Sequence, residues 1–331
     1  MNIKNYLRKM MFSKMSESQI ELFYKVYYHL RYRNEMGKRL KGGNKNDDKI
    51  FYVIRPRTDC IEGLLSLFWN VIRNIDYAIE NDYIPIIDFQ NYKTQYRMSN
   101  EENAWIYYFT QPSSFSLSEV YDSKNVILSG LEISWYKKNI YKPDYSEKSL
   151  NYFRQLIFKY IDFSDEVKKR VDIEISKLKL DMNSTIGLYL RGTDYIKLKP
   201  SGHPVQPTPE QAMKIVDEFM HKYNLSTIFL VTEDGDIYDA IRKKYGDICV
   251  TPTFDKYIYG YVGKEFLSCD EKINQIADNA YERGMQYLIK IIILSKCGYL
   301  IGGNTNGMWA ANVFANEFKD KFIFDLGLYG K

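Results

Sequence analysis

Short apolar runs recur along this chain, and most end abruptly in polar or glycine residues. The first, "IFYVI" at 50–54, has the length of a buried strand. After a polar loop, "RPRTDCIEG", apolar residues return at Leu64, Leu65, Phe68, Ile72, Ile75 and Ile79. Steps of three and four place those side chains on one face of a helix. "YIPIIDF" (83–89) and "NVILSG" (125–130) read as two further strands. Strand, helix, strand is the unit from which parallel sheets are built. Between the last two lies a long aromatic stretch, 91–121, expected to cover a sheet edge or to line a cleft.

The second half repeats the alternation. Helical spacing near 147–160 and 164–180 is followed by a strand over 185–191, and Ser164 is placed to cap the second helix. Thr208, Pro209 and Gln211 spell a capping box with proline at the first helical position. "TIFLVT" (227–232), "DICVT" (247–251), "YLIGG" (299–303) and "KFIFDL" (321–326) read as strands, separated by helices at 236–246, 285–296 and 306–316. This predicts an α/β fold with two doubly wound, Rossmann-type domains facing a cleft, at 50–165 and 166–331. Residues 1–49 are read as a separate basic segment of helices, closing in a linker, "KRLKGGNKNDDK".

Charge changes the picture only at the N-terminus. The 331 residues carry a formal +4, too little to argue for a nucleic-acid partner. Residues 1–49 hold 12 Lys/Arg against five Asp/Glu, and the rest of the chain is slightly acidic. Two readings of such a segment stay open: helices packed on the body or solvated, and a weak membrane-surface contact through residues 1–40. No signal-peptide core is visible, and the most apolar stretch, "YLIKIIILSKCGYLIGG", is interrupted by Lys290 and Lys296. The expectation is a cytoplasmic protein, with a peripheral place at the inner face of the plasma membrane left open. Four dispersed cysteines and three histidines are read as free thiols and no zinc site.

Chemistry gathers at three strand ends in the second half. In open α/β sheets, ligands bind outside the carboxyl ends of the strands. The first cluster is Tyr189-Leu190-Arg191-Gly192-Thr193-Asp194; the second is Thr232-Glu233-Asp234. The third, Gly302-Gly303-Asn304-Thr305-Asn306-Gly307, runs from a strand into a helix. Small residues there admit a ligand to the backbone, and the helix points its N–H groups at it. Arg191 offers a donor fork matched to phosphate oxygens. Together they describe a diphosphate site that needs no metal. "EDGD" (233–236) gives two other readings: the start of a helix capped by Asp236, or a metal-binding acid pair.

In this order the three clusters resemble the fucosyltransferase-like glycosyltransferases of GT-B architecture. That group includes α-1,6-fucosyltransferases and protein O-fucosyltransferases. Its first motif reads roughly His-Val-Arg-Arg-Thr-Asp and its second Thr-Asp-Asp. The third is a helix ending in Leu-Ser, a strand and a turn into a helix, matched here by 293–314. The whole chain also looks like bacterial capsule or surface-polysaccharide proteins of this type. The resemblance implies a GDP-sugar donor, usually GDP-fucose, inverting transfer and no cofactor or metal. It makes 166–331 the nucleotide-sugar domain and 50–165 the acceptor-side domain.

Carried over, Arg191, Gly303, Asn304, Thr305 and Asn306 would hold the diphosphate. Tyr189, Gly192, Thr193, Thr232, Glu233, Asp234 and Lys290 would complete the donor site. Tyr189 stands where the family has histidine, and Lys290 where it has an aspartate that contacts guanine. Gly63 to Asn70 matches the family's glycine-bearing loop and helix facing the donor. Asp194 is the first choice as general base and Glu210 the second, with Asp59 or Glu62 third. His203 is placed near the acceptor, a glycan or lipid-linked oligosaccharide. Three alternatives stay open: a non-catalytic sugar-nucleotide or glycan-binding protein, a different nucleotide sugar, or a metal-dependent transferase using Glu233, Asp234 and Asp236.

Overall fold

The computed structural model describes residues 38–40, 42–56, 62–92, 94–99, 101–130, 144–263 and 266–330. The expected helices of residues 1–37, and Asp59, lie outside them. The chain forms two compact units that interleave in sequence. Described residues up to 55, with 73–86 and those of 115–140, make the first unit; 56–72, 87–114 and those from 141 onward make the second.

The first unit holds β1 (Lys38–Leu40), β2 (Phe51–Ile54), the later turns of α1 (Leu64–Glu80), all but the last residue of β3 (Ile84–Ile87), α2 (Leu117–Tyr121) and β4 (Val126–Leu128). The sheet order is β1-β4-β2-β3. β2 and β4 run parallel, with Phe51 opposite Val126. Its core joins Phe51, Val53, Ile86, Val120, Val126 and Leu128. The linker expected from Lys38 onward begins instead with the edge strand β1, Lys38–Leu40, antiparallel to β4. Leu40 packs against that core, which gives the segment a reason to pair.

The second unit begins its regular structure with α3 (Glu147–Tyr160) and α4 (Asp165–Leu178), the latter capped by Ser164 as expected. Then come β5 (Thr185–Tyr189), α5 (Thr193–Leu198), α6 (Pro209–Tyr223), β6 (Thr227–Val231), α7 (Gly235–Tyr245) and β7 (Cys249–Val250). α8 (Ala280–Lys296), β8 (Tyr299–Gly303), α9 (Asn306–Phe314) and β9 (Asp320–Phe324) complete it. The sheet order is β7-β6-β5-β8-β9, and every pair is parallel. Ile186, Leu188 and Leu190 face one way, into a core shared with Val216 of α6 and Ile241 of α7. Gly187 faces the other way, where an added Cβ would lie 2.9 Å from Leu294 of α8. The sheet is therefore covered by helices on both faces, and its strands are apolar almost throughout rather than alternating between apolar and polar. Each fully buried Ile or Leu contributes roughly 1.5–3 kcal/mol to holding these layers together.

The α/β architecture with parallel sheets is the one that the strand–helix alternation predicts. The capping box is formed by Thr208 and Gln211, with Pro209 at the helix start. Three local expectations need correction. α7 is capped by Asp234 rather than Asp236, because its carboxylate accepts the N–H groups of Asp236 and Ile237. β7 is two residues long, since a 3-10 turn over Gly246–Ile248 takes the start of "DICVT". Residues 193–198, to which the sequence pattern assigns no element, form the short helix α5.

Candidate functional site

The order β7-β6-β5-β8-β9 reverses direction between β5 and β8. Chains leaving those two strands diverge there and open a crevice at their carboxyl ends. A cavity of about 470 Å³ is lined by Arg191, just past β5, and by Thr305, Asn306 and Gly307, just past β8. All of its lining residues belong to the second unit.

The corner after β5 is tightly bonded. Glu233 Oε1 accepts the Gly192 N–H at 3.0 Å and the Thr193 hydroxyl at 2.8 Å. Asp234 Oδ2 accepts the Thr193 N–H at 2.9 Å while its other oxygen caps α7. Gly192 is required sterically, because a Cβ there would sit 2.3 Å from the Asp234 carboxylate. Thr193 takes a left-handed φ of 43°, a strain of roughly 1–3 kcal/mol that these hydrogen bonds offset. Such over-determined strain is a mark of functional sites.

Arg191 is held within this frame. Its Nη2 donates to Asp194 Oδ1 at 3.0 Å, and its Nε lies 3.7 Å from Glu233 Oε1. Its guanidinium carbon is 5.1 Å from the centroid of the Tyr195 ring. Burial works against its charge, but Glu233 and Asp194 hold it protonated, well above its ordinary value. Its Nε is buried and has no hydrogen-bond partner among the described residues. Asp194 is itself 4% exposed. Its Oδ1 also accepts the Tyr195 N–H, and its Oδ2 accepts the Leu267 N–H at 3.2 Å.

The opposing corner is the start of α9. Thr305 caps it by accepting the Met308 N–H, leaving the N–H groups of Asn306 and Gly307 at the cavity. A helix start carries roughly half a positive charge. The helix is fixed by Trp69, which stacks on Trp309 at 3.7 Å and donates to the Asn306 carbonyl at 3.2 Å.

α8 forms a third wall through Arg283, Tyr287 and Lys290. The Tyr287 hydroxyl lies 3.1 Å from that of Tyr189. Lys290 is paired at 2.7 Å with Asp255, whose side chain is 2% exposed. Burial raises the Asp255 carboxyl above its ordinary value, and Lys290 works the other way. Arg283 donates to Gln95 Oε1 at 3.0 Å and faces the Tyr96 ring at 6.0 Å. Tyr195, His203 and Phe266 make an aromatic rim, with His203 5.4 Å from one ring and 6.0 Å from the other. No side-chain hydrogen bond engages the His203 imidazole among the described residues. Burial lowers its pKa from 6.5, against the pull of Asp194, so the ring is neutral at pH 7.

The cavity thus gathers Glu62 and Gly63 with Tyr189, Arg191, Asp194 and His203. It also gathers Thr232, Glu233, Lys290, Thr305 and Asn306. Gly192, Thr193 and Asp234 stand behind Arg191 as its frame. Gly303 closes β8, and an added Cβ would meet Gln206 at 2.3 Å. Asn304 bonds Tyr145 and Gln206 rather than lining the cavity. Asn70 is buried on α1, away from the cavity lining, and Glu210 is exposed on α6, also away from it. Among the described residues, no group of three or more His, Cys, Asp or Glu could hold a metal ion. Asp236 is exposed on α7, and Glu233 and Asp234 are engaged as described.

Arg283, Tyr287, Tyr96, Tyr195 and Phe266 are site residues that motif reasoning passes over. The signal was present on α8: Arg283, Gln286, Tyr287 and Lys290 recur at helical spacing and so share one face of the helix.

No protein-family model and no curated protein sequence matches this chain. Solved structures with a similar backbone include a NodZ alpha-1,6-fucosyltransferase soaked with GDP-fucose. It is 15% identical with a TM-score of 0.49, over 86% of this chain and 98% of that one. Another is fucosyltransferase NodZ from Bradyrhizobium, 14% identical with a TM-score of 0.44, over 80% and 92%. POFUT1 in complex with GDP is 9% identical with a TM-score of 0.45, over 84% and 99%.

Proposed function

We propose that this chain is a glycosyltransferase that moves a sugar from a nucleoside-diphosphate donor to a glycan acceptor. The observation that carries the proposal is the pairing of Arg191 with the open N-terminus of α9 at the switch point of a parallel sheet. Both present donors to one cavity, and a leaving diphosphate needs such donors fixed in advance. The three motifs resemble those of GDP-fucose enzymes, which makes GDP-fucose the proposed donor. The route is inverting and proceeds without a metal, in the assembly of a surface polysaccharide.

In this mechanism the acceptor oxygen bonds to the sugar's anomeric carbon as the bond to the diphosphate breaks. The negative charge goes to the diphosphate, beside Arg191 and the first N–H groups of α9. The acceptor proton goes to a group on the cavity wall. Asp194, the first expectation for this base, has both oxygens engaged and instead orients Arg191. His203 is neutral at pH 7 and has no protein hydrogen bond on its ring, so it takes the proton in this reading. The rim of Tyr195 and Phe266 offers flat apolar faces to the sugar rings.

Calorimetric titration with GDP, UDP, CDP and dTDP tests the donor class. GDP alone should bind tightly. Binding of UDP alone would replace the donor, and binding of none would remove the proposal.

A further inference from the structure

The cavity's charges do not add up to an anion site if Arg191 is its only cation. Arg191 lies between Asp194 at 3.0 Å and Glu233 at 3.7 Å, so that corner carries a net negative charge. Lys290 is matched by Asp255. A nucleoside diphosphate brings two or more negative charges of its own. The half charge at the start of α9 is too small to reverse that balance.

Arg283 is the exception. Among the described residues it has no carboxylate within 4.0 Å, and its partners are the Gln95 amide and the Tyr96 ring. Its Nε is buried without a hydrogen bond among the described residues, as is the Nε of Arg191. The Tyr96 phenol, raised chiefly by burial, feels both guanidinium groups as opposing influences, so the two arginines share one neighbourhood. A buried guanidinium N–H without a partner is costly, and a bound anion that accepts from it removes that cost.

We infer that Arg283 is the second arm of an arginine clamp, binding the donor's phosphates together with Arg191 and supplying the positive charge that the Arg191 corner lacks. This deepens the donor reading above and rests on it. Arg191, pinned by two carboxylates, sets position. Arg283, free of them, sets affinity and selects for phosphate number. A diphosphate is thereby held tightly before transfer, and its charge is met as it leaves.

The test is a calorimetric titration of wild type, Arg283→Gln and Arg283→Lys with GDP, GMP and guanosine. Thermal unfolding of each variant establishes that it folds. In Arg283→Gln, GDP affinity should fall at least about 10-fold, the worth of a charge-assisted hydrogen bond. The loss should shrink for GMP and vanish for guanosine, and lysine should restore part of it. Equal affinity for GDP in wild type and Arg283→Gln overturns the clamp, as does an equal loss for all three ligands. Wild-type protein that binds no GDP instead overturns the donor reading, so the two failures are told apart.

Discussion

At the end of β5, Arg191 lies between two carboxylates, each at most a tenth exposed. On α8, Arg283 has no carboxylate within reach among the described residues, and it rests on an amide and a ring. Both arginines line the same cavity. The difference separates two tasks that a single residue performs poorly. Two ion pairs and a hydrogen bond fix the Arg191 fork, but they neutralise it. Arg283 keeps its charge and is less firmly oriented. A site that must hold a diphosphate in one pose and also attract it needs both kinds of cation.

Removing the positioned arginine should do the most damage. Arg191→Ala leaves Asp194 and Glu233 buried without their cation, which costs roughly 3 kcal/mol of stability. GDP affinity should also fall about 100-fold, as expected for two charge-assisted hydrogen bonds. Denaturant unfolding and calorimetry read the two effects separately. Arg283→Gln should weaken GDP with little loss of stability, and that contrast sharpens the distinction between the two corners.

His203→Gln should reduce kcat about 100-fold with GDP affinity unchanged. The imidazole must be neutral to accept a proton, so the wild-type rate should fall as pH drops through its lowered pKa, below 6.5. The acidic limb of the rate profile should disappear in the variant. An unchanged limb would remove His203 from the role of base.

Gly192→Ala tests the frame behind Arg191. The new methyl would meet the Asp234 carboxylate at 2.3 Å, and the forced shift should cost roughly 1–3 kcal/mol. GDP affinity should fall with it, because Arg191 loses its seat. Thr208→Ala, which removes the capping box of α6, should cost about 1 kcal/mol and leave GDP affinity intact. Parallel losses of affinity in both variants would mean that the cavity responds to general destabilisation rather than to its own frame.

Much of the second unit was legible from sequence, for a physical reason. Buried parallel strands are continuous apolar runs, and Thr208-Pro209-x-Gln211 is a local signal that needs no tertiary information. The strand-end polar clusters were legible through the same rule, since polar groups crowd a buried sheet only at its carboxyl edge. Roles were harder to read. Asp194 looked like a base because of its place three residues after Arg191, yet three hydrogen-bond donors, from Arg191, Tyr195 and Leu267, converge on it. The donor from Leu267 comes from 73 residues away, which no local pattern encodes. Arg283 was missed because its significance lies in an absence of nearby carboxylates, and that is a property of space. β1 was missed because three residues of edge strand have too few side chains to set a period.

The central claim is that the cavity between the ends of β5 and β8 receives a nucleoside diphosphate. The most direct measurement is a crystal structure of the protein grown with GDP. The account predicts diphosphate oxygens within hydrogen-bond distance of Arg191 and of the first N–H groups of α9. GDP bound elsewhere, with this cavity holding only water, would contradict it.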